Sequence, residues 1–83
     1  MDKHEKLLLQ ILRGSSDRNI AFDDLCKLLE NMGFEKRIRG SHHMFSKVNV
    51  VELVNLQRLG NKAQSYQVRQ VRQVILKNNL SGE

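Results

Sequence analysis

The chain contains no proline and no tryptophan, a single cysteine, one tyrosine and three phenylalanines. Without proline there is no stiff proline-rich linker to separate domains. One cysteine excludes an internal disulfide framework and a cysteine-rich metal site. Cys26 lies in an apolar helical pattern, so a small buried thiol is expected there. Long apolar runs are also missing: stretches such as Leu7-Leu8-Leu9 and Val50-Val51 fall far short of the ~20 residues that cross a bilayer. The opening Met1-Asp2-Lys3-His4-Glu5-Lys6 is charged, and Gln10 interrupts the apolar stretch from Leu7 to Leu12, unlike a secretory leader. A soluble cytoplasmic protein with no membrane partner is therefore expected.

What is present is one domain's worth of chain: 83 residues, 40% hydrophobic, without repeats or low-complexity tracts. Its net charge of +5 is unevenly placed. Residues 1–35 hold five basic and seven acidic side chains, whereas residues 36–83 hold nine basic side chains against only Glu52 and Glu83. Such a surplus attracts polyanions, because each phosphate it neutralises releases condensed counterions. A nucleic-acid partner is favoured over a merely solvated basic surface.

The hydrophobic period divides the chain into elements. Leu7, Leu8, Ile11 and Leu12 recur at helical spacing over residues 3–13, and Gly14 is placed to end that helix. Asn19 to Phe22 reads as an extended approach, Asp23 as the N-cap of a second helix, and Leu25, Leu28, Leu29 and Met32 as its buried face. From Phe34 the period becomes two: Phe34, Lys36 and Ile38 alternate with Glu35, Arg37 and Arg39 as in a half-buried strand. A second strand over His42 to Val48 and a third over Val51 to Arg58 follow, with Asn49 and Gly60-Asn61 as turns. A last helix from about Ser65 to Asn78 turns Val68, Val71 and Ile75 inward. The short spacings favour antiparallel pairing. The expected fold is α+β: a three-stranded antiparallel sheet with helices on one face.

One local segment combines flexibility with titratable groups: Gly40-Ser41-His42-His43-Met44-Phe45. Imidazole titrates nearest neutral pH and serves as a general acid or base. Adjacent strand residues point to opposite faces, so the two histidines cannot both address one substrate. Alternation groups His43 with Phe45, whose ring belongs in the core, which leaves His42 on the accessible face. The same pattern is also that of two polar edge residues. With three histidines and one cysteine at no familiar zinc spacing, no metal site is expected. Nucleophile-elbow, phosphate-loop and dinucleotide fingerprints are absent. RNA, in contrast, carries its own nucleophile in the 2′-hydroxyl. A protein that cuts it needs only to move protons and to stabilise charge on phosphoryl oxygens, without a cofactor. Arg39, Lys47, Arg58, Lys62, Arg69 and Arg72 are the candidate cations for such a site, taken as a set. A noncatalytic RNA-binding module would use the same residues. A helix–turn–helix DNA binder is disfavoured by the strand period of residues 34–58.

Two segments, Leu28-Leu29-Glu30-Asn31-Met32-Gly33-Phe34 and Arg37-Ile38-Arg39-Gly40-Ser41-His42-His43-Met44-Phe45, resemble the HicA family of toxins over roughly residues 23–80. The resemblance implies a double-stranded-RNA-binding-domain-like core, helix–strand–strand–strand–helix, over residues 23–80. Residues 1–22 would form an extra N-terminal helical extension of the same single domain. It implies an mRNA-cleaving toxin that arrests translation and is blocked by a HicB-type antitoxin, with His42 as the catalytic histidine and Gly40 and Ser41 completing its motif. Many members carry a Pro-x-His element after the third strand. Here the chain reads Asn55-Leu56-Gln57-Arg58-Leu59-Gly60-Asn61-Lys62 instead.

Overall fold

The computed structural model describes residues 2–81. The first apolar stripe becomes helix α1 (Lys3–Arg13). Asp2 caps its start, a carboxylate oxygen accepting from the Glu5 N–H at 2.8 Å. Gly14 closes it in the left-handed region at φ +71°, as expected of a C-terminal glycine. A 3-10 turn (Asp17–Asn19) leads to helix α2 (Phe22–Asn31).

The start of α2 departs from expectation. Asp23 is not the N-cap; it lies within the first turn, and Ala21 occupies the cap position without a side-chain hydrogen bond. The Phe22 N–H instead donates to the Asn61 carbonyl at 3.0 Å. The earlier start carries Phe22, expected in an extended segment, into the core. Burying a phenylalanine is worth about 1.5–3 kcal/mol and a side-chain cap about 1 kcal/mol, so the ring decides where the helix begins.

Strands β1 (Glu35–Arg39), β2 (His42–Lys47) and β3 (Val50–Leu56) form an antiparallel meander in that order. The third strand stops at Leu56, short of Arg58. Arg58 belongs to a separate two-stranded ribbon, β4 (Arg58–Leu59) with β5 (Lys62–Ala63), which turns at Gly60-Asn61. The Ala63 N–H donates to the Ile20 carbonyl at 2.9 Å, pinning this ribbon to the segment before α2. Helix α3 (Ser65–Lys77) ends the fold, within a residue of its expected bounds.

Phe45, Val54 and Leu56 turn one face of the sheet toward the helices, where they share a single core with Leu25 and Leu29 of α2 and Val68, Val71 and Ile75 of α3. Ile11 of α1 and Ile20 are in the same core, so there is no structural break between residues 22 and 23. β1 is more exposed than its alternation implies. Phe34 is buried but precedes the strand, all five strand residues are exposed, and Ile38 is 54% accessible. An edge strand has a neighbour on one side only. Here the edge is closed by Lys36, whose Nζ is 3.6 Å from a Glu30 oxygen on α2, rather than by an apolar side chain.

Arg72 ties three elements together. From α3 it reaches both carboxylate oxygens of Asp17 at 3.0 and 3.1 Å and the carbonyl of Ile11 at 3.1 Å. Both side chains of the pair are about 15% exposed or less, 15% and 14% respectively. Removing one member of a fully buried pair costs about 3–5 kcal/mol, because the other charge is left without compensation; for this partly buried pair we expect about 2–4 kcal/mol. Urea unfolding should therefore show Arg72→Met destabilised by that amount, with part of the loss recovered in Arg72→Met/Asp17→Leu. Wild-type stability of the single variant would show that the pair does not tether α1 and the 3-10 turn to α3.

Candidate functional site

The turn Gly40-Ser41 joins β1 to β2, with Gly40 at φ +56°. A positive φ at the first central position of a two-residue hairpin favours glycine. A Cβ there would meet nothing within 4 Å, so the requirement is on the dihedral and not on space. The turn sets Arg39 opposite His42, Ile38 opposite His43 and Arg37 opposite Met44.

Cross-strand partners share a face, so this register sorts the side chains. His43, Phe45 and Lys47 face the helices. His42, Met44 and Ser46 face away, beside Arg37 and Arg39 of β1 and Leu53 and Asn55 of β3. His42 is exposed, and its Nδ1 is 3.1 Å from Asn55 Oδ1. With that oxygen as acceptor, Nδ1 carries the proton and Nε2 presents its lone pair.

The connection from β2 to β3 is irregular. Phe45 pairs with Val54 but Lys47 with Val50, so β2 advances two residues where β3 advances four. Asn55 therefore stands opposite Met44 and diagonal to His42. A shift by two preserves the face, and Asn55 remains on the side of the histidine.

Ser41 is committed to a polar chain. Its Oγ accepts from Gln57 Nε2 at 3.0 Å, and the Gln57 N–H donates to Gln67 Oε1 at 3.0 Å. Gln67 Nε2 in turn donates to the Tyr66 hydroxyl at 3.3 Å. Gln67 is buried, and this chain anchors the glycine-serine turn to the start of α3.

His43 stands edge-on to the Phe22 ring, with centroids 4.9 Å apart and planes at 84°. The Arg58 guanidinium carbon lies 4.7 Å from the same ring centroid, and Arg58 pairs with Asp23 at 2.9 Å. The Nδ1 atom of His43 is buried without a hydrogen-bond partner.

The six cations expected to act as a set are dispersed. Arg39 alone accompanies His42 on the open face. Lys47 faces the helices at the other end of β2, roughly 16 Å along the strand at about 3.3 Å per residue, with its ammonium over Gly33. Arg58 is held by Phe22 and Asp23. Lys62 donates to Asn19 Oδ1 at 3.1 Å. Arg69 is exposed on the outer side of α3, and Arg72 is engaged by Asp17. Position along the chain concealed this, because the strand parity and the ribbon send the cations to different sides. Arg37, Asn55 and Gln57 were missed. Arg37 and Asn55 have the correct parity for the open face, but only the register brings Asn55 to the histidine.

Among the described residues, no group of three histidine, cysteine or acidic side chains is arranged to hold a metal ion, and no helix is long and apolar enough to cross a membrane. No protein-family model, curated protein or solved structure matches the chain.

Cys26 lies behind His43, in a small depression shared with Phe22, Asp23, Glu30 and Lys36. Burial pushes its thiol up to about 11, against the opposing field of Lys36. The thiolate is the reactive form, so Cys26 is inert near neutral pH while the chain is folded. At pH 8 a thiol reagent should modify it roughly a hundred-fold more slowly in the native protein than in urea. Equal rates would show that the fold neither buries the thiol nor raises its pKa.

Proposed function

We propose that this chain is a HicA-type toxin: a metal-independent endoribonuclease that cuts mRNA with His42 and is held in check by a HicB-type antitoxin. The observation that carries the reading is the orientation of His42. It projects from the open sheet face, its Nδ1 is 3.1 Å from Asn55 Oδ1, and Arg39 is its cross-strand partner. The order helix–strand–strand–strand–helix from α2 to α3, interrupted only by the β4–β5 ribbon, supports a double-stranded-RNA-binding-domain-like core.

The geometry suits transesterification. Nε2 accepts the proton of a ribose 2′-hydroxyl as its oxygen attacks the adjacent phosphorus. The new bond is O2′–P, the broken bond P–O5′, and the departing O5′ takes a proton from the imidazolium or from water. A 2′,3′-cyclic phosphate and a 5′-hydroxyl result. Arg39, directly across the strand pair, lies within reach of the phosphoryl oxygens and offsets the charge that builds on them. Asn55 holds the ring in the tautomer that can accept the proton. Ser41, tied to Gln57, fixes the turn that aims the strand.

Purified protein should degrade RNA in excess chelator, and His42→Ala should lower the rate by about 10²–10⁴-fold while circular dichroism stays unchanged. Equal cleavage by both proteins, each folded, would overturn the assignment of His42. RNA bound but left uncut by the wild type would instead describe a noncatalytic RNA-binding module.

A further inference from the structure

Helix α3 has a second face that the packing does not use. Val68, Val71 and Ile75 point into the core, while Tyr66, Arg69, Gln70, Gln73 and Lys77 recur at spacings of three and four on the outer side. With Glu52 of β3 they line an open groove of about 610 Å³. The sequence of α3 contains no acidic residue. Among the described residues, Arg69 pairs with no carboxylate. Glu52 is the one anion of the groove, and it is already met by Lys77 at 2.9 Å and by the Asn78 amide at 3.1 Å. Those two partners pull its carboxyl down to about 2, which keeps it ionised and paired at neutral pH.

Tyr66 is unusual for an aromatic residue in a chain so poor in them. It is 46% exposed, and its hydroxyl is fixed by Gln67, which leaves the ring displayed in one position. The polar chain from Tyr66 through Gln67 and Gln57 ends at Ser41, next to His42. An exposed ring, amide side chains that can both donate and accept, and a free guanidinium match the parts of a nucleotide: the face of a base, its edge, and a phosphate.

We propose that this groove is a subsite for an unpaired nucleotide of the RNA that His42 cuts. The base stacks on Tyr66, Gln70 and Gln73 contact its edge, and Arg69 holds its phosphate. The inference rests on the RNA-cleavage reading and specifies the substrate further: the strand must be single-stranded where it crosses α3. A duplex keeps its bases stacked within itself and offers no face to the ring.

The composition supplies a direct test. Tyr66 is the only tyrosine and there is no tryptophan, so emission from the whole chain reports on this ring alone. In the His42→Ala protein, a short mixed-sequence single-stranded oligoribonucleotide should quench that emission saturably, after correction for absorption with free N-acetyltyrosinamide. A blunt RNA duplex should not. By anisotropy of labelled RNA, Tyr66→Ala should weaken binding roughly ten-fold, and Tyr66→Phe should bind as the parent does. Arg69→Ala should lower the salt dependence of binding by about one phosphate contact. Binding without quenching, or unchanged affinity of a folded Tyr66→Ala protein, would overturn the subsite and leave the RNA reading intact. Failure of the wild type either to bind or to cut RNA would overturn both.

Discussion

The ring of Phe45 must be out of water, and the arrangement of the sheet depends on that requirement. Strand side chains alternate, so burying Phe45 sends Met44 and Ser46 outward and, two further back, His42 with them. A slip of one residue would turn Phe45 out into solvent and Met44 and Ser46 inward, at a cost of about 1.5–3 kcal/mol from the ring alone. The position of the candidate catalytic group is thus enforced by the same apolar burial that holds α2 and α3 onto β2 and β3. The two-residue irregularity in β3 does not disturb it, because a shift of two leaves every side chain on its own face.

Around that constraint the molecule separates two kinds of polar interaction. On the helix side, apart from the His43 Nδ1, polar groups are committed to structure: Arg72 to Asp17, Arg58 to Asp23 and the Phe22 ring, and Gln67 to the Gln57 backbone. On the open side, His42, Arg37 and Arg39 remain accessible on regular strands rather than on a long loop. A strand fixes a side chain more closely than a loop does, which suits chemistry that depends on orientation to within an ångström. β1 also brings four charged residues to the edge of the sheet, where an apolar strand would invite pairing with another chain.

Much of the fold was legible in the sequence, because the underlying signals are periodic. The helical stripe of α1, the glycine that ends it, the alternation through β2, and the bounds of α3 all follow from spacing. Phe22 was misplaced because a burial gain at a helix start outweighs a carboxylate cap, and local pattern does not weigh the two. The β4–β5 ribbon was hidden in what reads as the end of one longer strand. For the candidate site, parity separated His42 from His43, but parity says nothing of which residue on another strand stands beside it. Asn55 required the register, and Gln57 required both the register and the packing of α3. The cations failed as a group for a related reason: a run of charge in sequence carries no information about the side of the molecule on which each member emerges.

The attachment of α1 differs in kind from that of the other helices. Ile11 is its one fully buried residue, with Leu7, Leu8 and Leu12 only partly covered, and Arg72 grips the carbonyl at its C-terminal end. Gly14 leaves room for that grip, since a Cβ there would stand 3.1 Å from the guanidinium. At the other end of α1, Lys3 pairs with Asp24 of α2 at 3.0 Å, so the helix is seated on α2 and α3 by a small apolar face with one polar clasp at each end. With a smaller buried face than α2 or α3, it opens at a lower free energy than they do, and its amides should exchange before theirs.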